Sequence, residues 1–218
     1  TAITRSVEYL LSNYNQENFP VDVFQTGSGT STNMNVNEVI SNIAKIKFKT
    51  RVHPNDHVNM SQSSNDVIPT AINHCAYYLA VTKLLPSLTI LSKDIGIKSK
   101  KLNNIVKTGR THLMDAMPIT FGQELSGWKA QIDDNIVSLK NCLSRLKRLP
   151  IGGTAVGTGI NAHKLFAKEF LIAINKGNKV KYIIKKNKFE GLSSQDDAVL
   201  YSSHLKSLAV SLIKISND

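Results

Sequence analysis

Three long stretches of this 218-residue chain place apolar residues three and four positions apart, and this periodicity constrains the fold more than any other feature. The first runs through Ile68, Ile72, Cys75, Leu79, Thr82 and Leu85; Pro86 should kink or end it, and a second series, Leu88, Leu91 and Ile95, resumes beyond and stops near Gly96. Another opens at Pro118, a residue suited to a first helical turn, and continues through Phe121, Leu125, Trp128, Ile132, Ile136, Leu139, Leu143 and Leu146 until Arg148 and Pro150. At about 1.5 Å of rise per residue this predicts a rod of roughly 45 Å. The last comprises Ala198, Tyr201, Leu205, Leu208, Leu212 and Ile215, still in phase at Asp218, with no stop signal. Rods this long on a chain this small cannot bury their stripes in one compact globule, so they are expected to bundle with other copies of themselves. The predicted fold class is mainly α.

Shorter elements fill the intervals. Ile3, Val7, Leu10 and Leu11 predict an amphipathic helix over 1–11, Pro20 ends the connector after it, and Asn35, Asn37 and Glu38 open a helix that continues through Val39, Ile40, Ile43 and Ile46. Phe166 to Ile174 reads as a short helix, and Val180 to Ile184 as a brief strand or loop in a lysine-rich surround. The glycine-rich stretch from Leu149 to Gly159 follows a helix rather than a strand and lacks the Lys-Ser or Lys-Thr of a phosphate loop. Its glycines are expected to cap the rod and make a tight turn, with Thr154 and Thr158 as candidates to line a site.

Composition narrows the function classes. Hydrophobic residues make up 41% of the chain without an apolar run near eighteen residues, so no membrane span is predicted. The net charge of +11 is spread over scattered lysines, and aromatics at 6% form no stacking pattern; solvated lysine faces that attract an acidic substrate explain this charge better than nucleic-acid binding. Cys75 and Cys142 fall inside helical patterns and outside metal-type spacings, which predicts buried free thiols in a reducing compartment. The start, Thr-Ala-Ile-Thr-Arg, has neither an initiator Met nor the layout of a signal peptide, so residues are expected upstream.

Three polar loops each lead into a helical pattern. Between Val52 and Ile72, the side chains of Asn55, Asp56, Asn59, Ser61, Gln62, Ser63, Ser64 and Asn65 offer donors and acceptors on short stems, which hold a small polar ligand with little rotamer entropy lost. Ser64, Asn65 or Asp66 can cap the following helix, whose N-terminal N–H groups favour an anion. A polar loop with a good cap explains the same residues without a ligand. Thr26 to Asn35, with Gly27 and Gly29, and Lys107 to Asp115 have similar chemistry, and His112 is the one histidine set inside such a glycine-bearing loop, where an imidazole can orient water or pass a proton. His53 and His57, four apart, would suit a metal on a helix, but Pro54 and Asn55 argue for a loop and against a metal site.

Thr26–Val39, Val52–Thr70, Gly109–Trp128 and Leu149–His163 together resemble the signature regions of class II fumarases, in the superfamily that also holds aspartate ammonia-lyase and argininosuccinate lyase. The resemblance implies a long-helix bundle, a homotetramer whose sites draw on three chains, a small dicarboxylate as substrate, and no cofactor, nucleic acid or membrane. It implies Ser28, Gly29, Thr30, Ser63, Ser64, Asn65 and Thr111 as substrate-binding residues and His112 as catalytic, with His53, Pro54, Asn55 and Asp56 in a secondary carboxylate-binding segment. Aspartate ammonia-lyase is the rival within the superfamily, but it has Ser-Thr in place of Ser63-Ser64 and Gln in place of His112; a non-catalytic remnant or scaffold of the same fold is the other alternative. The family's serine loop, Gly-Ser-Ser-x-Met-Pro-x-Lys-x-Asn, does not occur here, and the connector from Asn42 to Val52 is short. The expectation is therefore a chain truncated at both ends and inactive alone: 1–62 from an N-terminal domain, 63–218 from the first part of a central bundle, and the C-terminal domain absent. Localisation is expected to be cytoplasmic, or mitochondrial matrix in a eukaryote.

Overall fold

The computed structural model describes residues 1–177 and 180–218, so two positions of the lysine-rich stretch 176–188 lie outside the described residues. The chain divides into two compact units, each discontinuous in sequence: Thr1–Asn73 with Arg148–Gln195, and His74–Lys147 with Asp196–Asp218.

In the first unit, helix α1 (Ala2–Ser12) packs on α2 (Thr30–Phe48), with the Arg5 guanidinium 4.2 Å from the centre of the Phe48 ring. Helix α2 starts five residues before the predicted Asn35 because Gly29, in the left-handed conformation at φ 65°, turns the chain into it. A single π turn, Pro54–Val58, precedes α3 (Ser64–Leu79), whose first part belongs to this unit. Two-residue strands β3 (Arg148–Leu149) and β4 (Ile183–Ile184) pair in parallel, and α6 (Phe166–Asn175) and α7 (Lys188–Ser193) complete the unit. Ile40, Ala44, Leu149, Ile151 and Tyr182 form its apolar core.

The second unit is built on helix α4 (Leu85–Lys101), α5 (Phe121–Leu146) and α8 (Asp196–Asn217). The predicted α5 stripe is the buried face from Leu125 on: Leu125, Ile132, Ile136, Leu139, Leu143 and Leu146 are in the core and Trp128 is half-buried, but Phe121 at the start is exposed. The α8 stripe likewise faces inward, with Leu208 buried and Tyr201, Leu205, Leu212 and Ile215 half-buried.

Four expectations need correction. The stretch that was to lead directly into α5 is an antiparallel hairpin, β1 (Val106–Thr111) and β2 (Met114–Thr120), and Pro118 sits in β2 opposite Thr108 rather than in a helix. Thr120 starts α5 through a reciprocal capping box with Gln123. The stripe expected over 68–85 is displaced: Leu85 is buried as expected, but Ile72, Cys75, Leu79 and Thr82 are exposed, and Asp66, Thr70, Asn73, Tyr77 and Ala80 are buried instead. Only Cys142 is a buried thiol. Finally, Ser64–Lys101 is one continuous helix, long and apolar enough by length and composition to cross a membrane, where no such segment was expected. Pro86 is absorbed by a π turn at Ala80–Leu84, in which the Leu85 N–H reaches back five residues to the Ala80 carbonyl.

Candidate functional site

The first unit brings together the loop at Ser28–Thr30, the loop 53–62, the start of α3 and the turn at 152–155. In the Ser28 loop, the hydroxyls of Thr26, Ser28 and Thr30 form a chain with oxygens 3.0 and 3.1 Å apart. A Cβ on Gly29 would stand 2.9 Å from the Ile68 side chain of α3, so glycine is what allows this loop to lie against that helix.

Asparagines latch the loop 53–62 onto α2. Asn33 and Asn37 each donate Nδ2 to the Asn59 side-chain oxygen at 3.2 and 3.1 Å, and Asn59 donates to the Gln62 carbonyl at 3.3 Å. Within the π turn, the Asp56 N–H donates to His53 Nδ1 at 3.2 Å and the His53 N–H donates to His57 Nδ1 at 2.8 Å. The Asp56 carboxylate also lies 3.2 Å from His53 Nδ1. Asn55 and Asp56 line a cleft of about 310 Å³ with Asn59, Ser61, Gln62, Thr154 and Asn161, whereas His53 and His57 line a separate one with Lys45 and Arg51. Ser61, Thr154 and Asn161 all adopt positive φ (65°, 55° and 61°), so two strained residues, Ser61 and Thr154, and an asparagine that tolerates this region converge on the first cleft.

Ser63 caps α3. Its Oγ accepts the Asn65 N–H at 3.3 Å and its carbonyl accepts the Val67 N–H, which leaves the hydroxyl proton free to be donated to a ligand oxygen. Asn65 commits one N–H to the Ala155 carbonyl at 2.7 Å and retains a second. Beneath these residues Asp66 is fully buried: Oδ1 accepts the Ser63 N–H, and Oδ2 accepts the Gly152 and Thr154 N–H groups, all at 2.9 Å. Burial raises its pKa above the ordinary carboxylate value, opposed by these N–H donors. The sequence reading offered Asp66 only as one possible cap and missed its link to the 152–154 turn. The serine and Asp66 three positions on, S-x-x-D, were the available signal for half of that role.

Thr111 and His112 belong to the second unit, at the tip of the β1–β2 hairpin. Thr111 pairs with Met114, so His112 and Leu113 are the two central turn residues, at φ 51° and 64°. Glycine or asparagine normally occupies such positions. Gly109 sits at the bulge between Thr108 and Arg110, where a Cβ would meet the Met117 carbonyl at 2.6 Å. At the hairpin base, Lys107 Nζ donates to both Glu124 oxygens at 2.8 and 2.9 Å, with both side chains about a quarter exposed. Among the described residues no group of three His, Cys, Asp or Glu side chains is placed to hold a metal ion.

A family model described as Lyase matches residues 1–218. The class II fumarate hydratase of Xylella fastidiosa is 52% identical over 200 residues, covering 92% of this chain and 42% of that protein. Its counterpart from Wigglesworthia glossinidia brevipalpis is 47% identical over 223 residues, covering 100% and 48%. The crystal structure of a recombinant class II fumarase from Schistosoma mansoni matches with a TM-score of 0.90 at 39% identity, over 100% of this chain and 50% of that one. A fumarate lyase:delta crystallin from Brucella melitensis bound to cobalt matches with a TM-score of 0.91 at 36% identity, over 100% and 48%. The chain spans about half the length of the curated relatives it matches.

Proposed function

The chain belongs to the lyase family whose model it matches throughout, and from that premise we propose that it is part of a class II fumarase, which reversibly hydrates fumarate to (S)-malate. The observation that carries the proposal is the start of α3, where Ser63, Ser64 and Asn65 gather short-stemmed donors beside a buried carboxylate that accepts the Ser63 N–H. In the dehydration direction, a base takes a proton from the carbon next to a carboxylate and hydroxide leaves the neighbouring carbon. The charge gathers on that carboxylate as an aci-carboxylate dianion, so donors held in place before the reaction stabilise it more than they stabilise the substrate.

In this reading Ser63, Ser64, Asn65 and Thr111, with Ser28, Gly29 and Thr30, hold carboxylate oxygens. His112 positions water or a proton. The segment His53–Asp56 serves a secondary carboxylate site. Residues 1–62 belong to an N-terminal domain and 63–218 to a central bundle of a longer protein that acts in the cytoplasm without cofactor, nucleic acid or membrane. The assembly is a homotetramer. What supports this is the apolar surface left on the long helices: Leu79, Ile90, Val137, Val199, Val210 and Ile213 are each more than half exposed, too much apolar surface to leave wet on so few rods.

Steady-state assay of the full-length protein tests the reading. Hydration of fumarate with no release of ammonia from aspartate is the expected result; aspartate deamination without malate dehydration would overturn it.

A further inference from the structure

We propose that Asp66 is a positioning residue for the substrate donors: one buried carboxylate clamps the Ser63–Asn65 turn to the Gly152–Thr154 turn, and so sets where those donors stand. The inference rests on the fumarase reading of Ser63, Ser64 and Asn65 and deepens it.

The geometry is specific to a carboxylate. Oδ1 takes the Ser63 N–H, which completes the return arm of a capping box, and Oδ2 takes two N–H groups from a turn 86 and 88 residues further along the chain. The three N–H groups, Ser63, Gly152 and Thr154, converge on two acceptor oxygens at one side chain that solvent does not reach. An asparagine there offers one oxygen and replaces the other with donors, so one end of the clamp would face a donor with no acceptor between them. Thr154 also pins the turn by its own conformation, at φ 55° with its hydroxyl donating to the Gly153 carbonyl at 2.8 Å. Directly above, Asn65 donates to the Ala155 carbonyl, so the same two turns are joined at the surface by a donor residue and in the interior by Asp66. A clamp with both arms intact holds Ser63, Ser64 and Asn65 in one arrangement. With one arm broken, the donors lose their shared reference.

Asp66→Asn in the full-length protein should therefore raise KM for fumarate about tenfold or more, the scale of one buried hydrogen-bond group left unpaired. Ser64→Ala made in the Asp66→Asn background should then lose much less than the same substitution loses in wild type, because the two act on one arrangement. Equal fold-losses for Ser64→Ala in both backgrounds would overturn the proposal and leave Asp66 a fold residue only.

Amide hydrogen exchange supplies an arm that needs no turnover. Asp66→Asn should speed exchange at Ser63, Gly152 and Thr154 together relative to other amides of the same unit, and acceleration confined to one end overturns the clamp. If that variant does not fold, wild-type protein with succinate as the probe gives the same answer. Exchange should slow at Ser63–Asn65 and also at Gly152 and Thr154; slowing at 63–65 alone overturns the proposal. A wild-type protein that folds but does not hydrate fumarate would refute the functional reading separately, since the succinate-free exchange still decides the clamp.

Discussion

His112→Asn should separate chemistry from structure at the hairpin tip. His112 and Leu113 occupy the two positions of a tight turn that requires positive φ at both, with values of 51° and 64°. A side chain with a Cβ costs roughly 1–2 kcal/mol in that region, and Asn is among the few that visit it readily. The substitution should therefore leave the hairpin as stable as before or gain up to about 1 kcal/mol from the turn itself. The proposed role of the imidazole predicts the opposite sign for catalysis. General acid–base help is worth about 10²–10⁴-fold in kcat, which at about 1.36 kcal/mol per decade is roughly 3–5 kcal/mol of barrier. KM should change much less, because the interaction is used mainly in the transition state. Thr111→Ala, next to it, should instead weaken binding evenly, since a hydroxyl on a carboxylate acts in ground and transition states alike. Rates at saturating malate across about pH 5 to 8, the interval in which imidazoles change charge, together with urea midpoints of both proteins, test the argument. Equal kcat for wild type and His112→Asn would reduce the histidine to a turn residue; a fall in kcat matched by a fall in midpoint would show that the turn, not the chemistry, was damaged.

Two predictions concern the second unit. Gly122→Ala should destabilise it by about 1–3 kcal/mol through overpacking, because the added Cβ would stand 2.6 Å from both the Asn103 Cα and the Ser99 carbonyl oxygen, where the Ser99 hydroxyl also bonds the Gly122 carbonyl at 2.7 Å; an unchanged urea midpoint would refute the close approach of α5 to the end of α4. Asp133 accepts hydrogen bonds from Lys129 and Ser92 that hold its carboxyl below the ordinary 3.8, so the stability it adds is present above that value and is lost as pH falls through its lower folded value. Asp133→Asn should flatten the acid limb of a stability–pH curve below about pH 4, and two parallel curves would refute that role.

How much of the fold could be read in the sequence depends on what each helix face meets. The periodicity of α5 was a reliable guide because its buried positions contact other apolar side chains, so the face chosen by hydrophobicity is the face that packs. At the start of α3 the rule inverts. The inward face carries Asp66 and Asn73, because what it must satisfy are N–H and carbonyl groups of the 148–154 turn: Asn73 Nδ2 donates to the Arg148 carbonyl at 3.4 Å, and Asp66 serves Gly152 and Thr154. A hydropathy stripe cannot locate a face whose partner is backbone, and it selected Ile72, Cys75 and Leu79 on the outside. The hairpin escaped for a related reason. Its turn is His-Leu, without the Asn or Gly that normally announces such a turn, and Pro118 suggested a helix start although Thr120 and Gln123 held the real signal.

The same residues explain why a candidate donor loop is easier to read in the sequence than the contacts that hold it. Binding a small dicarboxylate needs many short donors close together, and a chain can supply them most economically in one loop; Ser61 to Asn65 is visible as such whatever surrounds it. Holding those donors still is a different requirement, met by long-range contacts that leave little trace in local sequence. Asn33 and Asn37 reach Asn59 across 26 and 22 residues, and Asp66 reaches Thr154 across 88. The left-handed backbone at Ser61, Thr154 and Asn161 has no glycine to mark it either. At Ser61 and Thr154 this costs roughly 1–3 kcal/mol relative to a relaxed conformation, a cost that selection for stability alone would remove by a change to glycine, whereas Asn161 adopts the region readily. Strain retained at Ser61 and Thr154 beside one polar cleft, next to a buried carboxylate held by three backbone donors, is what the proposed site requires if it is to hold its groups before the ligand arrives.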